Sequence, residues 1–229
     1  MFSVVVTGSN GGIGSAICSL FKSKGYFVVG IDSFDDKNSL DAFLKNDISK
    51  LVTDSELRDK FILKLESILI NTKLKSLINN AAVQILSSLD TLNVDDFRNT
   101  LDTNVTAPLV LSKACYKELK ANNGSIVNVG SIHSKLTKPG FISYATSKTA
   151  LLGLTQAMAV DIGQYIRVNA IQPAATATEM LLDGFKADPN AYSNLKAFHP
   201  TKTIATPEEI ANAVFFLASD QCQFMNGTI

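Results

Sequence analysis

Val4-Val5-Val6-Thr7-Gly8-Ser9-Asn10-Gly11-Gly12-Ile13-Gly14 carries the chain from a β-branched apolar run into a glycine-rich turn, and apolar residues at helical spacing begin inside that turn. The order is strand, glycine turn, helix. Glycines let a backbone bend tightly and approach a ligand closely, while free N–H groups and the positive end of a helix dipole favour a negative group such as a pyrophosphate. Glycines also close ordinary turns. The position directly after an N-terminal strand is what makes a dinucleotide site the expectation here.

Working outward, short β-branched runs at residues 2–6, 26–31, 74–79, 125–129 and 166–171, with a weaker one near 42–46, alternate with helical patterns at 12–24, 54–70, 104–120, 143–163 and 207–219. That alternation predicts βαβ units feeding one parallel sheet, hence a Rossmann-like, doubly wound α/β fold flanked by helices. With 229 residues and no repeat or Pro/Gly/Ser-rich linker, a single domain over 1–229 is expected. Residues 176–199 lack a strand pattern and read either as a segment covering a site or as an ordinary surface loop with short helices.

Composition removes several function classes. Hydrophobic residues make up 46% of the chain, charged residues 18%, and 21 basic residues balance 21 acidic ones, so nothing draws the protein to nucleic acid or anionic lipid. The start of the chain has neither a signal-peptide pattern nor a membrane-length apolar run, and the expected home is cytoplasmic. Cys18, Cys115 and Cys222 are odd in number and lack metal-ligand spacing; they read as small buried apolar side chains, and no metal site is expected.

Eighteen residues after Gly14, Asp32 closes the second strand, where a carboxylate accepts hydrogen bonds from ribose hydroxyls and repels a 2′-phosphate. The expected cofactor is therefore NAD, with NADP left open because Asp35, Asp36 and Lys37 lie close by. Asp32 as a plain turn or cap residue is the competing reading.

Tyr144-Ala145-Thr146-Ser147-Lys148 opens a long helix pattern and puts a phenol and an ammonium one turn apart on one face. A free phenol has a pKa near ~10, and a fixed cation beside it favours the phenolate, as proton transfer at neutral pH requires. Alone, the pair also fits a lysine lying along a packed ring. Ser131, thirteen positions upstream, follows the strand at 125–129, and Asn79-Asn80-Ala81-Ala82 closes the strand at 74–79. Asn104 opens another helix pattern. These polar groups converge at the carboxyl edge of the sheet, where open α/β sheets bind ligands.

The Thr7-Gly8-x-x-x-Gly12-Ile13-Gly14 loop, the Asn-Asn-Ala turn, Asn104, Ser131 and the Tyr144/Lys148 pair resemble the short-chain dehydrogenase/reductase family along essentially the whole chain. The resemblance implies hydride transfer between a nicotinamide cofactor and a small alcohol or carbonyl substrate. Tyr144 would be the general acid/base, Lys148 its tuning cation and a ribose ligand, Ser131 the holder of the substrate oxygen, and Asn104 the keeper of a relay water. It also implies cofactor contacts at Gly8, Ser9, Asn10, Gly12, Ile13, Gly14, Asp32, Asp47, Ile48, Asn80, Ala81, Pro173 and Thr178, besides Tyr144 and Lys148. Asp47 and Ile48 resemble the adenine-contacting segment, and residues 169–173 the one leading to the carboxamide.

The chain departs from the family pattern at Ala82 and Ala174, where glycines are usual, and at Thr203, where arginine is frequent. Residues 224–229 resemble the lead-in to a final strand that does not follow, from true loss or from truncation. The resemblance implies a homodimer through the helices at 104–120 and 143–163, and the missing strand puts a tetramer in doubt. His133 reads as a hydrogen-bonding group for substrate or as a cover over the site, and His199 carries less. Phe141, Ile142, Met180, Leu181, Leu182 and Phe185 read as an apolar substrate lining or as core. A dinucleotide-binding sensor or scaffold without turnover is the alternative to an enzyme.

Overall fold

The computed structural model describes residues 1–36, 38, 40–183, 185 and 189–229, with backbone only at 180 and 189. Six strands, β1 (Phe2–Thr7), β2 (Phe27–Asp32), β3 (Ala42–Lys45), β4 (Lys73–Asn79), β5 (Ser125–Val129) and β6 (Arg167–Ile171), form one sheet in the order β3-β2-β1-β4-β5-β6. All five pairings are parallel. This is the doubly wound order, and it reverses direction between β1 and β4, opening a crevice at the carboxyl ends of those strands.

The helices are α1 (Gly12–Ser23), α2 (Lys50–Thr53), α3 (Ser55–Leu69), α4 (Val94–Leu101), α5 (Ala107–Ala121), α6 (Ile142–Ile162), α7 (Glu179–Asp183), α8 (Pro189–Phe198) and α9 (Pro207–Ala218). Side chains alternate across the strands, so each face carries its own core. Val4, Val6, Val28, Ile78 and Val127 pack against Ile17, Cys18 and Phe21 of α1 and Val214 and Leu217 of α9. Val5, Val29, Ile31, Leu77, Ile126 and Val168 pack against Phe61 and Leu65 of α3, Leu111, Cys115 and Leu119 of α5, and Ala159 of α6. Strands buried on both faces read as continuous apolar runs, which is why they were legible.

All three cysteines are buried and free, and burial pushes the thiols of Cys18 and Cys115 up to about 12, so neither is a nucleophile near neutral pH. Among the described residues no helix is long and apolar enough to cross a membrane.

One expectation needs correction. Asn104 does not open its helix: α4 begins at Val94 and runs through a π-helical turn, Asp102–Thr106, into α5. Asn93 caps the true start by accepting the Asp95 N–H, with Asp95 and Asp96 set against the positive end of the helix dipole. The polar composition of this first turn hid it from apolar periodicity. The expected absence of a final regular strand holds, but the β6 edge is covered. Gly227 donates its N–H to Val168 O (2.8 Å) and Ala170 N–H reaches Thr228 O (2.8 Å), while Asn226 Oδ1 accepts the Val168 N–H (2.9 Å), so residues 226–228 lie along β6 without forming a regular strand.

Candidate active site

The glycine loop is built by exclusion. Gly8 has φ +63°, and a Cβ there would lie 2.9 Å from the Ala81 Cα; a Cβ on Gly14 would overlap the Gly8 carbonyl oxygen. Asn80 holds the loop from below, donating from Nδ2 to Thr7 O (3.0 Å) and Gly8 O (3.1 Å). The N–H groups of Asn80 and Ala81 both reach Thr7 Oγ1 (3.0 Å each). The Asn80 side chain thus anchors the cradle. Gly12 faces Thr178, whose Cγ2 would lie 3.0 Å from a Cβ on that glycine, so two residues distant in sequence meet over the loop. Ser9 is fully buried and its hydroxyl turns inward toward Gly30, leaving only its backbone for a ligand. Gly30 is a residue the sequence reading missed; a glycine in the middle of a strand is the sign that another group approaches closely.

Asp32 ends β2 with its carboxylate against this loop, taking the Asn10 N–H on Oδ2 (3.0 Å) and the Phe34 N–H on Oδ1 (3.2 Å). It is a turn-closing residue and a carboxylate at the ligand edge together. Asp36 accepts the N–H groups of Asn38 and Leu40, and Asp35 pairs with Lys45 (2.9 Å). Lys37 lies outside the described residues. Asp47 is exposed and accepts from Ser49, whereas the Ile48 side chain is buried in the core beside Leu51, so Asp47 alone of that pair offers a side chain to solvent.

Tyr144 sits in the first turn of α6 and Lys148 one turn later. Lys148 is 2% exposed; its Nζ donates to Val129 O at the end of β5 (2.7 Å) and lies 5.6 Å from the centre of the Tyr144 ring. Burial pulls its pKa down to about 8. The Tyr144 phenol is pushed up by burial, with the neighbouring Ser131 hydroxyl acting in the opposite sense. The expected depression of the phenol by Lys148 does not appear: burial sets the direction, and the opposing influence comes from Ser131. Ser131 is buried just past β5 and its Oγ accepts the His133 N–H (3.2 Å).

Asn104 reaches this centre through the protein. Its amide exchanges two hydrogen bonds with Val83, accepting from N–H (2.9 Å) and donating to O (3.0 Å), and its Nδ2 also donates to Ser147 Oγ (2.9 Å). Ser147 donates in turn to Tyr144 O (2.8 Å). Ser147 was not singled out from sequence, although a buried hydroxyl between Tyr144 and Lys148 in an apolar helix was the available signal. Pro173 O accepts the Ile132 N–H (3.0 Å) and Gln172 Oε1 accepts from Ser134 Oγ (2.6 Å), tying the end of β6 to the Ser131 segment.

Past Thr176 the chain leaves the sheet and returns beside it. Ala177 N–H donates to Ala205 O (2.8 Å) and Ala205 N–H to Ala175 O (3.2 Å), so α7 and α8 belong to a loop closed at its base. Of the proposed apolar lining, Phe141 is buried against His133 and Leu182 is exposed, while the Met180 side chain lies outside the described residues.

Residues 8–229 match the family model described as Enoyl-(Acyl carrier protein) reductase, and an uncharacterized oxidoreductase of Thermotoga maritima is 34% identical over 99% of this chain and 93% of its own. The chain belongs to the short-chain dehydrogenase/reductase family. A 4-hydroxyisoleucine dehydrogenase complexed with NADH superposes with TM-score 0.88 at 29% identity, over 100% of this chain and 95% of that one. The aldohexose dehydrogenase of Thermoplasma acidophilum, in ligand-free form, gives 0.91 at 27%, over 99% and 90%. Similar solved structures include members holding NADH and members holding NADP. This short-chain dehydrogenase/reductase is a nicotinamide-dependent oxidoreductase, and nothing among its relatives favours the non-catalytic alternative.

Proposed function

We propose that Tyr144 exchanges the substrate proton in a reversible alcohol–carbonyl interconversion, with Lys148 and Ser131 flanking it. The observation that carries this reading is the burial of the Lys148 amine one turn from Tyr144, at the sheet edge where Ser131 also ends up. A lysine is not kept this dry without cause, because desolvation works against its charge. The nicotinamide, when bound, supplies or receives the hydride. For alcohol oxidation Tyr144 as phenolate takes the hydroxyl proton; for carbonyl reduction the phenol returns it to the oxygen. Ser131 holds that oxygen, and Lys148 stabilises the phenolate, its N–H groups not taken by Val129 O being those that would hold the ribose.

The residues present fit a dinucleotide. Gly8 and Gly14 let the loop fold tightly against its own backbone and Ala81, Thr178 lies over Gly12, and Asp32 stands at the end of β2. Asn10, Ile13, Asp47, Ala81 and Pro173 border this path, and Asn80 and Asn104 act as positioning residues through the Thr7–Gly8 carbonyls and through Val83 and Ser147. Asp32 favours NAD, since its carboxylate would repel a 2′-phosphate. The closed-base loop carrying α7 and α8 covers the substrate.

A homodimer forms through the outer face of α6, where Val160 is 88% exposed and Gly153 looks into open space, together with Leu109 of α5. Buried reduced thiols suit a cytoplasmic setting. A panel of alcohols and ketones followed at the absorbance of reduced nicotinamide, with NAD and NADP, tests the reading. Tyr144→Phe should lose most turnover and keep cofactor affinity; ordinary turnover in that variant overturns the assignment.

A further inference from the structure

His133 occupies a constrained place beside Tyr144 that proton transfer does not require. Its ring stacks on Phe141, with centroids 4.3 Å apart and planes 23° off parallel, and meets the Tyr144 ring edge-on at 6.1 Å. Its backbone N–H is held by Ser131 Oγ, and the next residue, Ser134, is tied to Gln172, so the imidazole has little freedom to turn away. Lys138 lies over Phe141, 4.7 Å from the ring centroid.

The two ring nitrogens stand in different surroundings. Nδ1 is buried and has no hydrogen-bond partner among the described residues. The rest of the ring borders an open groove, so Nε2 is not enclosed in this way. A proton on Nδ1 would bury an N–H with no acceptor, whereas a proton on Nε2 points the N–H bond outward and buries only a lone pair. Burial, aided by the Lys138 charge, also lowers the pKa of the ring and keeps it neutral.

From this geometry we infer that His133 is the Nε2–H tautomer and a specificity-determining donor, selecting substrates that carry a second oxygen acceptor close to the reacting carbon. This deepens the proposed function and rests on Tyr144 defining where the reacting oxygen lies. The substrate class is accordingly polyoxygenated: diols, ketols or hydroxy acids in preference to simple hydrocarbon alcohols. A second hydroxyl and a carboxylate offer the same acceptor chemistry, with Lys138 favouring the carboxylate.

Two measurements test it. Turnover of cyclohexanol, 1,2-cyclohexanediol and 2-hydroxycyclohexanecarboxylate should show wild type favouring the two oxygenated compounds at least tenfold in kcat/KM, with their relative order separating hydroxyl from carboxylate. Glutamine places an amide N–H near the position of Nε2 and asparagine near that of Nδ1. His133→Gln should therefore keep the preference and His133→Asn should lose it, with cofactor affinity by NADH fluorescence unchanged in both. A preference absent from wild type, or surviving in His133→Asn, overturns the inference. Independently of turnover, nitrogen chemical shifts of the two histidines, assigned with His199→Gln, should report His133 as the Nε2–H form; the Nδ1–H form overturns it. Should none of the compounds react while the Nε2–H form is seen, the tautomer stands, the selectivity claim falls, and the catalytic reading is the next to be re-examined.

Discussion

Lys148 donates from Nζ to the carbonyl oxygen of Val129 at 2.7 Å, joining the second turn of α6 to the last residue of β5. This contact fixes the amine inside the protein, where burial lowers its pKa to about 8, and brings the helix carrying Tyr144 against the strand that leads to Ser131. Catalytic placement and electrostatic cost arise from the same packing.

A stability prediction follows from that cost. The folded pKa of about 8 lies below the unfolded value of 10.5. Below pH 8 both states hold the proton and the full penalty of burying the charge applies. Between pH 8 and 10.5 the unfolded state binds more protons, so this group makes stability rise with pH. Lys148→Met should be more stable than wild type in urea at pH 7, and the gap should shrink by about 2 kcal/mol at pH 9.5. The same variant should lose at least a hundredfold in turnover, as removal of a group acting on proton transfer would.

Asn104→Ala removes a bidentate hold on the Val83 backbone and the donor to Ser147. Chemical denaturation should show a loss of about 1–3 kcal/mol, from buried polar groups left unpaired. Turnover should fall more than cofactor affinity, because the broken connection runs toward Tyr144.

Asp32→Ser should shift the ratio of kcat/KM values for NAD and NADP toward NADP by about tenfold or more, equivalent to roughly 1.4 kcal/mol of removed repulsion. Initial rates with both cofactors check it, and an unchanged ratio would remove Asp32 as the discriminator.

Gly14→Ala places a methyl group inside the Gly8 carbonyl. Dinucleotide titration should show affinity lost by two orders of magnitude or more, with circular dichroism testing whether the sheet survives. Gly153→Ala is the control within the protomer, because a Cβ there meets nothing within 4 Å.

Val160→Glu alters a side chain that is 88% exposed, so the protomer should fold unchanged. Light scattering after size exclusion should report a dimer for wild type and a monomer for this variant; a monomeric wild type would refute the α6 interface.

The central strands were legible because they are buried on both faces and bounded by turn residues, the edge strand β3 being the weaker signal because it is only partly buried, and the glycine loop because a tight turn at Gly8 and Gly14 leaves no choice of residue. Less visible was anything held by contacts between distant segments. The start of α4 is polar and depends on the Asn93 cap. Ser147 gains its meaning only from Asn104, 43 positions away, and the inward turn of Ser9 only from Gly30 on the neighbouring strand.

By itself, the sequence determined the alternation of strands and helices, the backbone freedom of the loop after β1, and the single turn separating Tyr144 from Lys148, since all three are local properties of chain geometry. Tertiary structure alone decided how dry Lys148 is, which nitrogen of His133 is buried, and whether Asn104 touches substrate or acts through Val83 and Ser147. Desolvation and hydrogen-bond partnership depend on what the rest of the fold packs around a group, and no spacing along the chain records that.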